Sequence, residues 1–115
     1  MTTLYGIKNC DTVRKARAWL DAHGIAYRFH DLRADGLDAA TLNGWLQQVD
    51  TATLINTRGT TWRQLSENAR QIGDNDDAVR LMLEHPPLIK RPVLLQDGRI
   101  TVGFAAATYE NLFSA

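Results

Sequence analysis

The sequence has one cysteine, three prolines and no long apolar run, and each scarcity removes a class of protein. A single cysteine cannot close an internal disulfide, and alone it cannot build a zinc site of the multi-cysteine kind. Cys10 is therefore either a packed apolar residue or a reagent. No segment approaches the ~18 apolar residues of a membrane span, and Met1 to Gly6 lacks the basic stretch and apolar run of a leader. A cytoplasmic protein is expected. Neither sign of charge is in excess, because thirteen Lys and Arg balance thirteen Asp and Glu. Such a chain has no overall field for a polyanion, so nucleic acid and anionic membrane surfaces are not expected partners, and any anion site must be local. His23, His30 and His85 have no ligand-like spacing, so no metal site is expected.

What is present is an ordinary globular composition, 44% hydrophobic and 23% charged over 115 residues. That length suits one domain, since halving it would leave two marginal cores. Thr3 to Ile7 alternates and is β-prone, and Asp11 to His23 puts Val13, Ala16 and Leu20 on one helical face. Gly24 supplies a helix stop, and Ile25 to Asp31 reads as a second strand. This opening is a βαβ unit with parallel strands, whose first loop opens at a strand's carboxyl end, where open α/β sheets usually place ligands.

Leu42, Trp45, Leu46 and Val49 fall at i, i+3, i+4 and i+7 behind Asp38, a natural N-cap, which predicts a helix over 38–49. Short helical pieces are predicted at 53–56 and 61–68, split by Thr57-Arg58-Gly59-Thr60. A further helix is predicted from Asp74 or Asp76 to Glu84, with Val79, Met82 and Leu83 inward and Pro86-Pro87 ending it. Asp97-Gly98 has the composition of a type I′ turn between strands 93–96 and 99–102, and a last helix is expected over 105–113.

Cys10 follows the first strand and a loop containing Gly6, immediately before a helix. Its sulfur can face backbone N–H groups that lack helical partners, and these, with Lys8, Arg14 and Lys15 nearby, favour thiolate over thiol. Composition alone favours a packed thiol, but this position is the one that activates cysteines. Arg58 lies in a polar loop and Arg91 opens a strand. Single arginines are mostly solvent-exposed, yet two of them meeting a thiolate would make a planar, bidentate anion pocket.

Taken in order, Tyr5-Gly6-Ile7-Lys8-Asn9-Cys10-Asp11-Thr12-Val13-Arg14-Lys15-Ala16, Asn56-Thr57-Arg58-Gly59, His85-Pro86, Leu88-Ile89-Lys90-Arg91-Pro92-Val93 and Val102-Gly103-Phe104 with Tyr109 form a specific signature. Over nearly its whole length the chain resembles the arsenate reductase/Spx (ArsC-like) family, nearest its YffB-like branch. The resemblance implies an α/β, thioredoxin-like fold: β-α-β then β-β-α in a mixed sheet, with a helical insertion at about 37–85 between the halves of a single domain. It implies Cys10 as nucleophile and Pro92 as a cis-proline facing it, although X-Pro bonds are trans by default. It also implies Arg58 and Arg91 as an oxyanion-binding pair.

The implied activity is a glutathione-dependent thiol-disulfide reduction through a mixed disulfide on Cys10. The chain is expected to be a monomer that acts on a small-molecule or protein disulfide. Lys8, Asn9, Arg14, Arg58, Arg91 and Pro92 would hold glutathione, with glutaredoxin a further partner and no permanently bound cofactor. Arsenate-reducing members follow a late glycine with Arg-Pro-Pro, whereas this chain has Gly103-Phe104-Ala105-Ala106. The missing arginine makes weak arsenate reduction the expectation. Spx-like members instead imply a regulatory module that binds RNA polymerase, but Cys10-Asp11-Thr12-Val13 lacks their second cysteine.

Overall fold

The computed structural model describes residues 2–114, and the chain divides into two compact units. One unit holds the chain up to Asp35 and again from Arg91, and the other is Gly36–Lys90.

In the first unit, strand β1 (Thr2–Gly6) leads to helix α1 (Asp11–Ala22) and strand β2 (Tyr27–Asp31). Strands β3 (Val93–Gln96) and β4 (Arg99–Val102) and a C-terminal helix (Ala106–Phe113) complete it. The sheet order is β2-β1-β3-β4, with β1 parallel to β2 and antiparallel to β3. The β3–β4 pair turns at Asp97 and Gly98, whose φ angles of 50° and 79° fit a type I′ turn. Leu4, Ala16, Leu20, Leu94 and Tyr109 form the core of this unit. Each buried leucine contributes about 1.5–3 kcal/mol relative to its exposed state.

Helix α1 ends as the glycine signal predicts. Gly24 has φ of 66°, its N–H donates to the Asp21 carbonyl, and the Ile25 N–H donates to the Leu20 carbonyl. This pairing satisfies the last carbonyls and lets Ile25 pack near Leu20. The strand begins two residues later than the apolar pattern suggests, because Ile25 and Ala26 are used in leaving the helix.

The second unit is helical. Helices α2 (Ala39–Leu46), α3 (Thr51–Leu54), α4 (Thr60–Gln64) and α5 (Asn75–Glu84) precede a 3₁₀ turn at Pro86–Leu88, so the C-terminal helix is α6. Asp38, Asp50 and Asp74 each accept a backbone N–H at the start of α2, α3 and α5, the role of an N-cap carboxylate. The Lys90 N–H donates to the Leu54 carbonyl and the Asn56 N–H to the Leu88 carbonyl, tying the end of the unit to α3.

Two expectations are corrected. Leu83 points outward, 38% exposed, while Leu81 and Met82 are buried. Three consecutive residues cannot share a helical face, and with Ala78, Val79, Leu81 and Met82 buried, Leu83 lies beyond the edge of the inward face. Gly6 is the last residue of β1, as the alternation over Thr3 to Ile7 expects, and does not belong to the loop before Cys10. Its lack of a side chain is required by the helix: a Cβ there would lie 2.8 Å from Val13 Cγ2.

Candidate active site

Val13, Ala16 and Leu20 seat α1 against the sheet, and the close approach at Gly6 brings the start of the helix over the end of β1. Cys10 is the N-cap, with extended backbone (φ −124°, ψ 122°), and its carbonyl accepts the Arg14 N–H at 2.9 Å. The thiol is partly buried. It does not close the short capping bond that Asp38 and Asp50 make, but the Val13 and Thr12 N–H groups at the helix start bear on its sulfur.

The β1–β3 register completes the site. Tyr5 pairs with Val93, so the residues entering β3 lie beside the end of β1. The Arg91-Pro92 bond there is cis. Pro92 is buried, and its carbonyl accepts the Gly103 N–H at 2.8 Å. The Arg91 side chain donates to the Cys10 thiol.

These groups shift the thiol in opposite directions. Burial raises its pKa, whereas the Val13 N–H, the hydrogen bond and charge of Arg91, and the Thr12 N–H lower it, and the lowering prevails. The depressed pKa expected from the sequence is therefore present, but its leading cation is Arg91 and not the neighbours Lys8, Arg14 and Lys15. Arg14 forms an ion pair with Asp11 on the exposed face of the helix. The Lys8 charge bears on Asp31, whose carboxylate lies below its usual range because it accepts the Arg33 and Ala34 N–H groups, with Lys8 adding to the effect.

Of the other expected site residues, Asn9 and Lys8 are exposed in the turn before Cys10. Arg58 belongs to the helical unit, where its backbone N–H donates to Asn56 Oδ1 at 3.0 Å and its side chain is exposed. Asp31 was not singled out from the sequence. Its signal was available: an aspartate closing a strand, followed by a polar Asp-x-x-x-Asp turn, is the pattern of a carboxylate that accepts backbone N–H groups. Among the described residues no cluster of metal-ligating side chains occurs, and no helix is long and apolar enough to cross a membrane.

A thiolate at a helix start with a guanidinium donor beside it is a nucleophile whose arginine can also hold an anionic leaving group or oxyanion. Comparison with known proteins points the same way. Residues 5–112 match the model of the ArsC family. A YffB protein of known structure is 45% identical, with a TM-score of 0.95 over 99% of this chain and 100% of that one. An arsenate reductase (ArsC) related protein from Brucella melitensis is 51% identical, with a TM-score of 0.77 over 99% of this chain and 95% of that one. The global transcriptional regulator Spx of Bacillus subtilis is 32% identical over 90% of this chain and 80% of its own length. The fold is thioredoxin-like, a mixed four-stranded sheet with its helices.

Proposed function

The chain belongs to the ArsC family, and from that premise we propose that it is a glutathione-dependent thiol-disulfide reductase with Cys10 as its nucleophile. The observation that carries this reading is the Arg91 side chain donating to a Cys10 thiol whose pKa is lowered. The thiolate attacks the sulfur of a mixed disulfide between glutathione and a small molecule or protein. A new S–S bond forms between Cys10 and the glutathionyl sulfur, the old one breaks, and the substrate leaves as a thiolate that takes up a proton. A second glutathione thiolate then attacks the Cys10 adduct, releasing oxidised glutathione and restoring the Cys10 thiolate.

With one cysteine in the chain, the resolving thiol is external. Arg91 and the backbone beside Pro92 hold the glutathionyl group, with Lys8, Asn9 and Arg14 at the mouth. Arg58 enters this proposal on the family resemblance alone, as a partner for a glutathione carboxylate. Arsenate is a poor substrate, because Phe104-Ala105 offers no third cation and one charge-assisted hydrogen bond is worth about 1.5–3 kcal/mol.

The test is intact-mass analysis after incubation with oxidised glutathione, beside an arsenate turnover assay with glutathione and glutaredoxin. One glutathionyl adduct on the wild type, none on Cys10→Ser, and negligible arsenate turnover are expected. No adduct under any oxidising condition would overturn the reading.

The 32% identity to a transcriptional regulator favours a second reading, a regulatory module that binds RNA polymerase. Retention of the chain by immobilised polymerase, undiminished in Cys10→Ser, would establish it over the enzyme.

A further inference from the structure

Away from Cys10, the C-terminal ends of α1 and α6 meet at a cavity of about 490 Å³ lined by Trp19, His23, Ile25, Glu110, Phe113 and Ser114. His23 and Ser114 are the C-cap residues of the two helices, so both helices direct their carbonyl ends toward this side. A helix C-terminus carries partial negative charge and is ordinarily balanced by Lys, Arg or His⁺ in its last turn. Neither helix has a basic residue in its last turn. Each has an acid there instead, Asp21 in α1 and Glu110 in α6, and no lysine or arginine is among the described residues that line the cavity.

Two of the polar groups on the wall spend a donor on their own helix, the Ser114 hydroxyl on the Glu110 carbonyl and the His23 ring on a carbonyl of α1, and keep lone pairs besides. His23 Nδ1 lies 2.8 Å from the Trp19 carbonyl oxygen, which can only accept, so Nδ1 carries the proton. In the neutral ring Nε2 is then left with its lone pair. The Glu110 side chain adds a carboxylate on an exposed residue. The remaining wall is aromatic and apolar: Trp19 stacks on His23 with centroids 3.8 Å apart and lies 5.9 Å from Phe113, and Ile25 lines it too. A cavity of apolar walls with a few convergent polar groups is the usual form of a small-molecule site.

We propose that this cavity binds an organic cation, an alkylammonium with an apolar body, whose charge meets Glu110 and the two helix ends while its body packs against Trp19, Ile25 and Phe113. Aromatic walls strengthen the preference, since ring faces attract cations. Carbonyls at the two helix ends already accept from Gly24, Ile25, His23 and Ser114, so what a bound cation adds is charge, which no basic residue in either last turn supplies. The inference is independent of the reading of Cys10.

Benzyltrimethylammonium is the probe, with benzyl alcohol and benzoate as the neutral and anionic controls, titrated into the full chain and followed by NMR at the Trp19 indole N–H and the amides of residues 110–113. The cation is expected to shift these signals with an affinity at least about fivefold above benzyl alcohol, the size of one exposed cation–π or ion-pair contact, and benzoate is expected not to bind. Glu110→Gln, at an exposed position, is expected to weaken the cation about fivefold and leave benzyl alcohol unchanged. Phe113→Leu is expected to weaken both the cation and the alcohol. Equal binding of cation and alcohol, preferential binding of benzoate, an unchanged cation affinity in Glu110→Gln, or no binding by any probe would each overturn the proposal.

Discussion

The side chain of Arg91, the residue before the cis-proline, donates to the thiol of Cys10 at the start of α1. This contact joins two segments far apart in the sequence, and it acts twice on the sulfur, as a hydrogen-bond donor and as a charge. Arg91→Ala is therefore expected to move the Cys10 thiol back toward the free-cysteine range, near ~8.5. Arg91→Lys is expected to keep part of the effect, since an ammonium supplies charge without the planar fork. The pH dependence of the iodoacetamide alkylation rate measures the midpoint, and a midpoint unchanged in Arg91→Ala would contradict the assignment.

The same shift makes folding depend on pH. The folded-state pKa of Cys10 is lowered, so the thiolate's interactions add stability that is fully present above the unfolded value, near ~8.5. That increment is lost as pH falls through the lower folded value. The stability difference between wild type and Cys10→Ser is expected to grow with pH across this window. Urea midpoints for the two proteins at a series of pH values check it, and parallel curves would mean that the thiolate does not contribute to folding.

Local chemistry was legible in the sequence, and tertiary partners were not. Asp38 announces one helix start and Asp74 or Asp76 another, because an N-cap acts within three residues, and the structure selects Asp74. Asp97-Gly98 announced its turn because both residues tolerate positive φ. Cys10 was legible for the same reason, since a helix N-terminus is a local feature. Sequence proximity points to Lys8, Arg14 and Lys15 as the cations beside it, but proximity says nothing about where a side chain goes, and Arg14 turns to Asp11. Arg91 had been singled out, but as an anion-binding residue and not as the source of the thiol's shift. The alternation over Thr3 to Ile7 reaches Gly6, but nothing local shows why a glycine is needed there, since the demand comes from Val13 across the strand–helix packing. The outward turn of Leu83 is not legible because Leu81-Met82-Leu83 is apolar throughout, and the burial of Ala78 and Leu81 moves the centre of the inward face away from it.

Tyr109 is wholly buried with rings of Trp19, Phe104 and Phe113 around it, and its hydroxyl has no hydrogen-bond partner among the described residues. Burial drives its pKa well above the usual value. Removing an unsatisfied buried hydroxyl recovers its desolvation penalty, so Tyr109→Phe is expected to stabilise the fold by about 1 kcal/mol, while Tyr109→Ala is expected to cost about 3–5 kcal/mol. The pH sign follows from the raised value. Above ~10 the unfolded chain ionises this tyrosine and the folded chain does not, so stability falls as pH rises. Tyr109→Phe is expected to fall less steeply in alkali, and thermal melts across that range decide it.

The packing of Gly6 against Val13 gives a prediction that ties the fold to the thiol. A Cβ at position 6 would lie 2.8 Å from Val13 Cγ2 and 2.9 Å from Cγ1, distances at which one element must shift. Val13 is 1% exposed and its own N–H faces the Cys10 sulfur, so a displaced α1 carries the thiol's dipolar environment with it. Gly6→Ala is expected to destabilise the fold by about 1–3 kcal/mol, the usual range for overpacking a core, and to raise the alkylation midpoint of Cys10. Val13→Ala alone leaves a small cavity and costs about 1–2 kcal/mol. Combined, the two substitutions exchange the missing volume, so the double variant is expected to be more stable than the sum of the single changes requires. The coupling energy should be about 1 kcal/mol or more, as found for residues in direct contact. Urea denaturation of the four proteins measures the coupling, and alkylation against pH follows the thiol in each. Additive stabilities would show that the contact at Gly6 does not set the position of α1. A coupled pair with an unmoved thiol midpoint would show that Arg91 alone, and not the helix start, governs Cys10.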